Sequence, residues 1–226
     1  MAGDGVESLY PFLYAGQADL DAVLEEVRRS TAEKAAEAVA LRATVAEREA
    51  DRLAACAGAM ARSFAGGGKL LAFGNGGSST DAQDVVTTFM HPGGGGARPL
   101  PAISLTSDVA VVTALSNDVG FEVVFARQVA AWGRPGDVAM GLSTSGGSAN
   151  VLRAFEEASR RGLLTVGLAG YDGGKMAEAD TIDHLFVVPS SSVHRIQEAQ
   201  TTVYHVLWEL TQQALTEIGD QPSSGG

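Results

Sequence analysis

From residue 69 onward, short apolar runs alternate with longer segments that carry apolar residues at helical spacing. The short runs fit buried strands, and the longer segments fit helices that pack on them. Strands are predicted near residues 69–73, 101–105, 137–142, 163–168 and 184–188. Because strands and helices alternate, the sequence predicts an α/β fold in which helices cover both faces of a five-stranded parallel sheet.

The residues before this region predict a helical extension. The segment from Asp19 to Phe64 is rich in Ala, Glu and Arg, with apolar positions at helical spacing. Ser30-Thr31-Ala32-Glu33 matches a capping box, so two helices are predicted here. A mobile loop is predicted at Gly93–Gly96. The predicted organisation has four parts: an irregular segment (residues 1–17), the helices (18–65), the α/β domain (66–218) and a disordered tail (219–226).

The last predicted helix, from about Val193 to Glu217, has two distinct sides. The apolar stripe expected to face the core consists of Ile196, Ala199, Val203, Leu207, Leu210 and Ala214. A different side carries the polar residues and one tryptophan, namely Gln197, Thr201, His205 and Trp208. A tryptophan on a polar side predicts contact with a partner subunit or a cleft wall.

The turn after the first predicted strand has the pattern of an anion site. It reads Gly74-Asn75-Gly76-Gly77-Ser78 and opens into an amphipathic helix. Glycines let the backbone approach a ligand closely, and the N–H groups and dipole of a helix N-terminus favour negative charge. The spacing matches neither the Walker loop nor the dinucleotide fingerprint.

A second loop repeats this arrangement. Ser143-Thr144-Ser145-Gly146-Gly147-Ser148 follows the apolar run 138–142 and precedes a helical pattern. Its hydroxyls can donate to a phosphate without Lys or Arg. For one loop alone, a simple N-cap at Ser148 is the alternative interpretation. Two such loops at strand ends favour a phosphate site.

Composition narrows the class of protein further. The 226 residues carry a net charge of −11, which argues against direct nucleic-acid binding or an anionic membrane surface. No apolar run approaches the ~20 residues of a membrane span, and the start lacks a signal-peptide pattern. Cys56 is the single cysteine, which fits a reducing cytoplasm.

Five motifs occur in an order that resembles the sugar isomerase (SIS) domain of the phosphoheptose isomerase group. They are Gly74–Ser78, Ser116–Phe121, Ser143–Asn150, Gly170–Met176 and Arg195–Glu198. The resemblance implies a five-stranded parallel sheet, a homotetramer with sites shared between subunits, and phosphosugar binding. It also implies interconversion of sedoheptulose 7-phosphate and an aldoheptose 7-phosphate, often with a zinc ion.

The resemblance assigns the phosphosugar-binding role to residues that match the motifs. They are Asn75, Gly76, Gly77, Ser78, Asn117, Asp118, Ser143, Thr144, Ser145 and Ser148, with Gln197 as a further substrate contact.

The catalytic set matches only in part. Gln197 and His205 match, whereas Asp84 and Thr88 stand where the family has a His and the general base Glu. Thr88 cannot act as a base, and Asp84 lies one helical turn before it on the same face. We therefore predict Asp84 and His205 as the catalytic pair. Asp84, Gln197 and His205 are alternatively a zinc ligand set in which Asp replaces a His.

Two functions remain open on these residues. The first is an isomerase of the sedoheptulose 7-phosphate type with an altered catalytic set, working through an enediol. The second is a non-catalytic protein that binds a phosphosugar or docks a partner, as the similar replication-initiator-associating protein does. The retained His205 and Gln197 favour chemistry, and the lost Glu and His favour binding. The isomerase is the preferred interpretation.

Overall fold

The computed structural model describes residues 20–91 and 96–220. The predictions for residues 1–17, for most of the Gly93–Gly96 loop and for residues 221–226 lie outside the described residues. The last helix continues to Asp220, two residues into the predicted tail.

Helices and strands alternate after one long N-terminal helix. The helices are α1 (Leu20–Ala65), α2 (Gly77–Met90), α3 (Val109–Asp118), α4 (Val124–Trp132), α5 (Ala149–Arg160), α6 (Gly174–Ala177) and α7 (Val193–Asp220). The strands are β1 (Leu70–Gly74), β2 (Ala102–Ser104), β3 (Val138–Ser143), β4 (Leu164–Gly170) and β5 (His184–Val188). A short 3₁₀ helix, Phe121–Val123, precedes α4. All five predicted strands are present, each within two residues of its predicted limits.

The five strands form one parallel sheet in the order β2-β1-β3-β4-β5. The predicted fold class is therefore confirmed. The chain leaves β1 toward β2 on one side and later returns to β3 on the other. At such a switch point the connecting loops separate and leave a crevice at the carboxyl ends of the strands. The crevice lies between β1 and β3, whose following loops are the two predicted anion loops.

Helices cover both faces of the sheet because successive strand residues point to opposite sides. Leu70 and Ala72 of β1 join a core with α1, α2 and α7, whereas Leu71 and Phe73 join a core with α4 and α5. The Phe73 ring packs against Phe155 with centroids 5.4 Å apart. Both cores are apolar and contain fully buried side chains.

The prediction of two helices before the sheet is wrong, because α1 runs unbroken from Leu20 to Ala65. The capping-box residues lie inside this helix. Lys34 Nζ donates to Ser30 Oγ, and Arg29 Nη1 lies 3.4 Å from Glu33 Oε1. The side chains that were predicted to cap a helix start here therefore contact residues one turn away in the same helix. No proline interrupts the segment, so the amphipathic pattern continues through it.

The chain divides into two units between Ala40 and Leu41. In the second unit, α1 supplies several buried side chains to the core beneath α2 and α7, among them Leu53, Cys56, Met60 and Phe64. Burial raises the pKa of the Cys56 thiol to about 12. None of the described helices is both long enough and apolar enough to cross a membrane.

The stripe predicted for the last helix is largely confirmed. Ile196, Ala199, Val203 and Leu207 are buried, and Leu210 and Ala214 pack on the same core while partly exposed. Trp208 differs from the prediction, because it also packs against this core. The stripe is therefore wide enough to include Trp208, and this residue gives no evidence of a partner surface.

Candidate functional site

The turn after β1 is shaped by its glycines. Gly76 has φ 55°, in the left-handed region that favours glycine, and immediately precedes α2. A Cβ atom at Gly77 would lie 2.5 Å from Gln197 Nε2, so the glycine lets α7 approach the turn. Ser78 is buried and Asn75 is half-buried. The turn thus presents the N-terminus of α2 at the switch point of the sheet.

The loop after β3 gathers hydroxyl groups. Ser143 Oγ lies 3.0 Å from Ser148 Oγ and 3.5 Å from Ser145 Oγ. The Ser145 hydroxyl also accepts a hydrogen bond from the Gly147 N–H at 3.2 Å. Ser148 stands at the N-cap of α5, yet its side chain does not cap the helix. The simple N-cap interpretation of Ser148 is therefore wrong, and the hydroxyls face one another at a helix N-terminus.

The two loops are joined by a pair of asparagines. Asn75 Nδ2 donates to Asn150 Oδ1 at 2.7 Å, and Asn150 Nδ2 donates back to Asn75 Oδ1 at 2.9 Å. A cavity of about 440 Å³ opens at this junction, lined by Asn75, Ser148, Asn150 and the segment Gly120–Glu122, among others. Residues from three of the sequence motifs therefore meet at one cavity.

Some predicted binding residues lie apart from this junction. Asn117 and Asp118 are exposed at the end of α3, where Asn117 Nδ2 donates to Asp118 Oδ1 at 2.8 Å. Ser145 lines a second, more open cavity of about 630 Å³ with Tyr171 and Asp172. Thr144 is half-buried.

A second cluster lies where α2 meets α7, and it holds the predicted catalytic pair. His205 Nε2 lies 3.6 Å from Asp84 Oδ2 and 3.4 Å from Thr88 Oγ1. Tyr204 donates its hydroxyl to Asp84 Oδ2 at 2.6 Å. The side chains of Asp84 and His205 are about half-exposed, at 50% and 47%. Facing helical surfaces thus bring an acid, an imidazole, a phenol and a hydroxyl together.

Burial raises the pKa values of two groups in this cluster. Burial, reinforced by the hydrogen bond to Asp84, raises the pKa of Tyr204 well above its usual range. Burial also raises the pKa of Asp81, against the lowering effect of a hydrogen bond from Gln197 and with the Asp84 charge adding to the increase. Tyr204 therefore stays a protonated donor at neutral pH.

The predicted zinc ligands do not all point at one another. Asp84 and His205 form a pair, but Gln197 Nε2 donates to Asp81 Oδ2 at 2.8 Å. Across residues 20–91 and 96–220, no group of three or more His, Cys, Asp or Glu is placed to hold a metal. A zinc site usually has at least three protein ligands. The predicted zinc site therefore stays a prediction.

Sequence reasoning missed the roles of Tyr204, Asp81 and Asn150 in these contacts. Tyr204 directly precedes His205, and Asp81 lies one turn before Asp84 on α2. Asp81 lies three positions before Asp84, and this helical spacing could have indicated that Asp81 belongs to the same cluster. Asp84 lies 120 positions from Tyr204, and Asn75 lies 75 positions from Asn150, so no local pattern reveals these two contacts.

The fold defines the class of protein, a parallel α/β domain with a glycine turn and a serine loop at its switch point, and comparison with known proteins supplies the family. The chain belongs to the SIS domain family, which it matches over residues 33–170. The family predicted from the five motifs is confirmed.

Within this family, the chain is similar to phosphoheptose isomerases. It is 46% identical to the phosphoheptose isomerase of Roseiflexus sp. (strain RS-1), over 76% of this chain and 86% of the relative. It is 42% identical to the phosphoheptose isomerase of Aquifex aeolicus (strain VF5), over 86% of this chain and 99% of the relative. The solved phosphoheptose isomerase GmhA from Neisseria gonorrhoeae superposes with a TM-score of 0.76 at 35% identity, covering 83% of this chain and 99% of that one.

Proposed function

We propose that this protein is an aldose–ketose isomerase that interconverts sedoheptulose 7-phosphate and an aldoheptose 7-phosphate. Its relatives over nearly their whole length are phosphoheptose isomerases. The observation that carries the proposal is the Asp84–His205 pair, in which Asp84 lies on the helix that begins in the glycine turn. The direct test incubates the purified protein with sedoheptulose 7-phosphate and follows formation of the aldose by NMR.

In this proposal the phosphate binds at the serine loop. Ser143, Thr144, Ser145 and Ser148 supply neutral donors, and the turn Asn75–Ser78 supplies the N-terminus of α2. Backbone N–H groups and hydroxyls stabilise an anion without a cation nearby. Asn117, Asp118 and Gln197 are proposed as further contacts to the sugar.

Replacing both Ser143 and Ser145 with Ala is expected to weaken phosphosugar binding. Each substitution removes a charge-assisted hydrogen bond, at a cost of roughly 1.5–3 kcal/mol. Calorimetric titration with sedoheptulose 7-phosphate measures the loss. Ser159→Ala, an exposed hydroxyl near the other end of α5, is the control that keeps parental affinity. Parental affinity in the double variant would place the phosphate elsewhere.

The chemical step moves a proton between adjacent carbons through an enediol. Asp84 is proposed to take the proton from the carbon beside the carbonyl, and His205 to give a proton to the carbonyl oxygen. Asp84 then gives its proton to the former carbonyl carbon, and His205 takes the hydroxyl proton from the neighbouring oxygen, which becomes the new carbonyl. Thr88 has no basic group and serves at most as a hydrogen-bond partner of His205. This division of roles uses the two titratable side chains that lie 3.6 Å apart.

A zinc ion held by Asp84, Gln197 and His205 is the other role proposed for these residues. When bound, such an ion would polarise the oxygens of the substrate. In the described structure Gln197 bonds to Asp81 instead. Metal analysis of the purified protein tests this role.

The proposed assembly is a homotetramer that shares sites between subunits. Within the second unit, α1 and α7 border a groove of about 340 Å³, lined chiefly by apolar residues such as Val45, Leu53, Val203 and Leu210. In the first unit, Val27 and Val39 are 55% and 65% exposed. The apolar groove of the second unit and the exposed valines of the first unit both support association with further copies of the chain.

Light scattering at micromolar concentration is therefore expected to report about four times the 23.2 kDa chain mass. Burial of apolar side chains on α1 and α7 between copies supplies the free energy of association. Val39→Glu should lower the measured mass by placing a charge at an exposed apolar position of the first unit, whereas Glu47→Gln, at an exposed position of the same helix, should not. A monomer at this concentration contradicts the shared-site arrangement.

Thr88 is the observation that favours a second candidate, a phosphosugar-binding protein without chemistry. If the protein binds sugar phosphates but turns over no heptose or hexose phosphate, this candidate replaces the isomerase.

A cytoplasmic location is also proposed, since the only cysteine, Cys56, is a free, buried thiol.

A further inference from the structure

Tyr204 is a buried residue whose hydroxyl is directed at the catalytic cluster. Its side chain is 1% exposed and among the largest fully buried ones in the described core. Its hydroxyl lies 2.6 Å from Asp84 Oδ2 and 3.3 Å from Thr201 Oγ1. A ring held this firmly presents its hydroxyl at a fixed position.

The Asp84 carboxylate lies closer to the Tyr204 phenol than to the His205 imidazole. Asp84 Oδ2 accepts from Tyr204 at 2.6 Å, while His205 Nε2 lies 3.6 Å from the same oxygen. The phenol contact has the length of a strong hydrogen bond to a carboxylate, and the imidazole contact is longer than a hydrogen bond. Asp84 is therefore oriented by Tyr204, and the imidazole of His205 does not close on it.

The charges around this contact come from both helices. Asp81 on α2 and Asp84 itself both contribute negative charge near the phenol, and the His205 ring lies 5.1 Å from the Tyr204 ring, measured between centroids. This environment keeps the phenol protonated, so it donates throughout the neutral pH range. A simple space-filling role would need the ring but not the hydroxyl.

We propose that Tyr204 is a positioning residue that holds the Asp84 carboxylate in place and keeps it from pairing with His205. The proposal rests on the isomerase function proposed above. Without the hydroxyl, Asp84 is free to rotate and form a short hydrogen bond with the His205 imidazole. That pair would occupy both the base and the acid, so the chemical step would slow while the phosphate loops still bind substrate.

The test is Tyr204→Phe, which keeps the ring and removes the hydroxyl. We expect kcat to fall roughly 10-fold, the lower end for loss of a partner that orients a catalytic group, with KM changed less than about twofold. Thr211→Val is the matched control, because it also removes a buried hydroxyl from α7, one that donates to Leu207 O outside the cluster. Its kcat should stay at the parental value.

A double-mutant cycle shows whether Tyr204 acts through Asp84. In the Asp84→Asn background, adding Tyr204→Phe should change kcat less than about twofold. A further loss of roughly 10-fold there would overturn the proposal, as would a parental kcat in the single Tyr204→Phe variant.

An activity-independent measurement tests the contact itself. A crystal structure of Tyr204→Phe, compared with one of the parent, measures the distance between Asp84 Oδ2 and His205 Nε2, which is 3.6 Å with the phenol present. We expect this distance to shorten to about 2.8 Å in the variant. An unchanged distance would overturn the proposal whatever the activity. A shortened distance together with an inactive parent protein would instead overturn the isomerase function and, with it, the positioning role.

Discussion

Asp84→Asn is expected to lower turnover of sedoheptulose 7-phosphate at least ~100-fold while leaving phosphosugar affinity unchanged. The amide keeps the shape of the carboxylate but cannot accept the proton from carbon. Asp84 is the carboxylate that lies on the same face of α2 as Thr88 and within 3.6 Å of His205. Steady-state kinetics gives the turnover, and calorimetric titration gives the affinity.

A matched control separates this effect from a general loss of charge. Asp180→Asn removes an exposed carboxylate from the turn after α6, outside both clusters, and should keep parental turnover. If Asp84 is instead a zinc ligand, chelation should abolish the parental activity, and zinc content should fall in His205→Ala. Parental turnover in Asp84→Asn would contradict both roles and leave the base unassigned.

The strands of this fold were predictable because each is a short, mainly apolar run. A strand of a parallel sheet is buried on both faces, as all residues of β1 and β3 are here, so composition alone marks it. The interruption predicted in α1 failed for a physical reason. A capping box identifies side chains that are able to cap, but Ser30 and Glu33 have partners one turn away that serve equally well within a helix.

The site was predictable where the chemistry is local in sequence. The glycine turn and the serine loop each combine a strand end and a helix start, so their anion-binding pattern lies within a few residues. The pairing of Asp84 with His205 came from the family resemblance together with helical spacing. Tyr204 was not predicted, because its hydroxyl meets Asp84 across 120 positions of sequence. Trp208 was misassigned because the apolar stripe of α7 is wider than its six predicted members.

Two neighbouring glycines in the serine loop allow a sharp test of how the loop is built. Gly146 has φ 63°, and a Cβ atom there would lie 1.9 Å from Gly173 O. The obstacle is backbone, so it cannot rotate away as a side chain would. At Gly147 the atom nearest to an added Cβ is Ser145 Oγ at 3.8 Å, an ordinary contact. An added methyl group therefore clashes with the backbone at residue 146 but has room at residue 147.

Gly146→Ala is accordingly expected to destabilise the protein by about 2–4 kcal/mol, from left-handed strain and a backbone clash. The unfolding midpoint should fall by roughly 5–15 °C in a thermal scan, whereas Gly147→Ala should stay within a few degrees of the parent. Phosphosugar affinity should also fall at least ~10-fold in Gly146→Ala, because the loop must move away from Gly173 and the hydroxyls of Ser143 and Ser148 then lose their 3.0 Å spacing. Equal midpoints for the two variants would mean that the loop does not pack against Gly173 in solution.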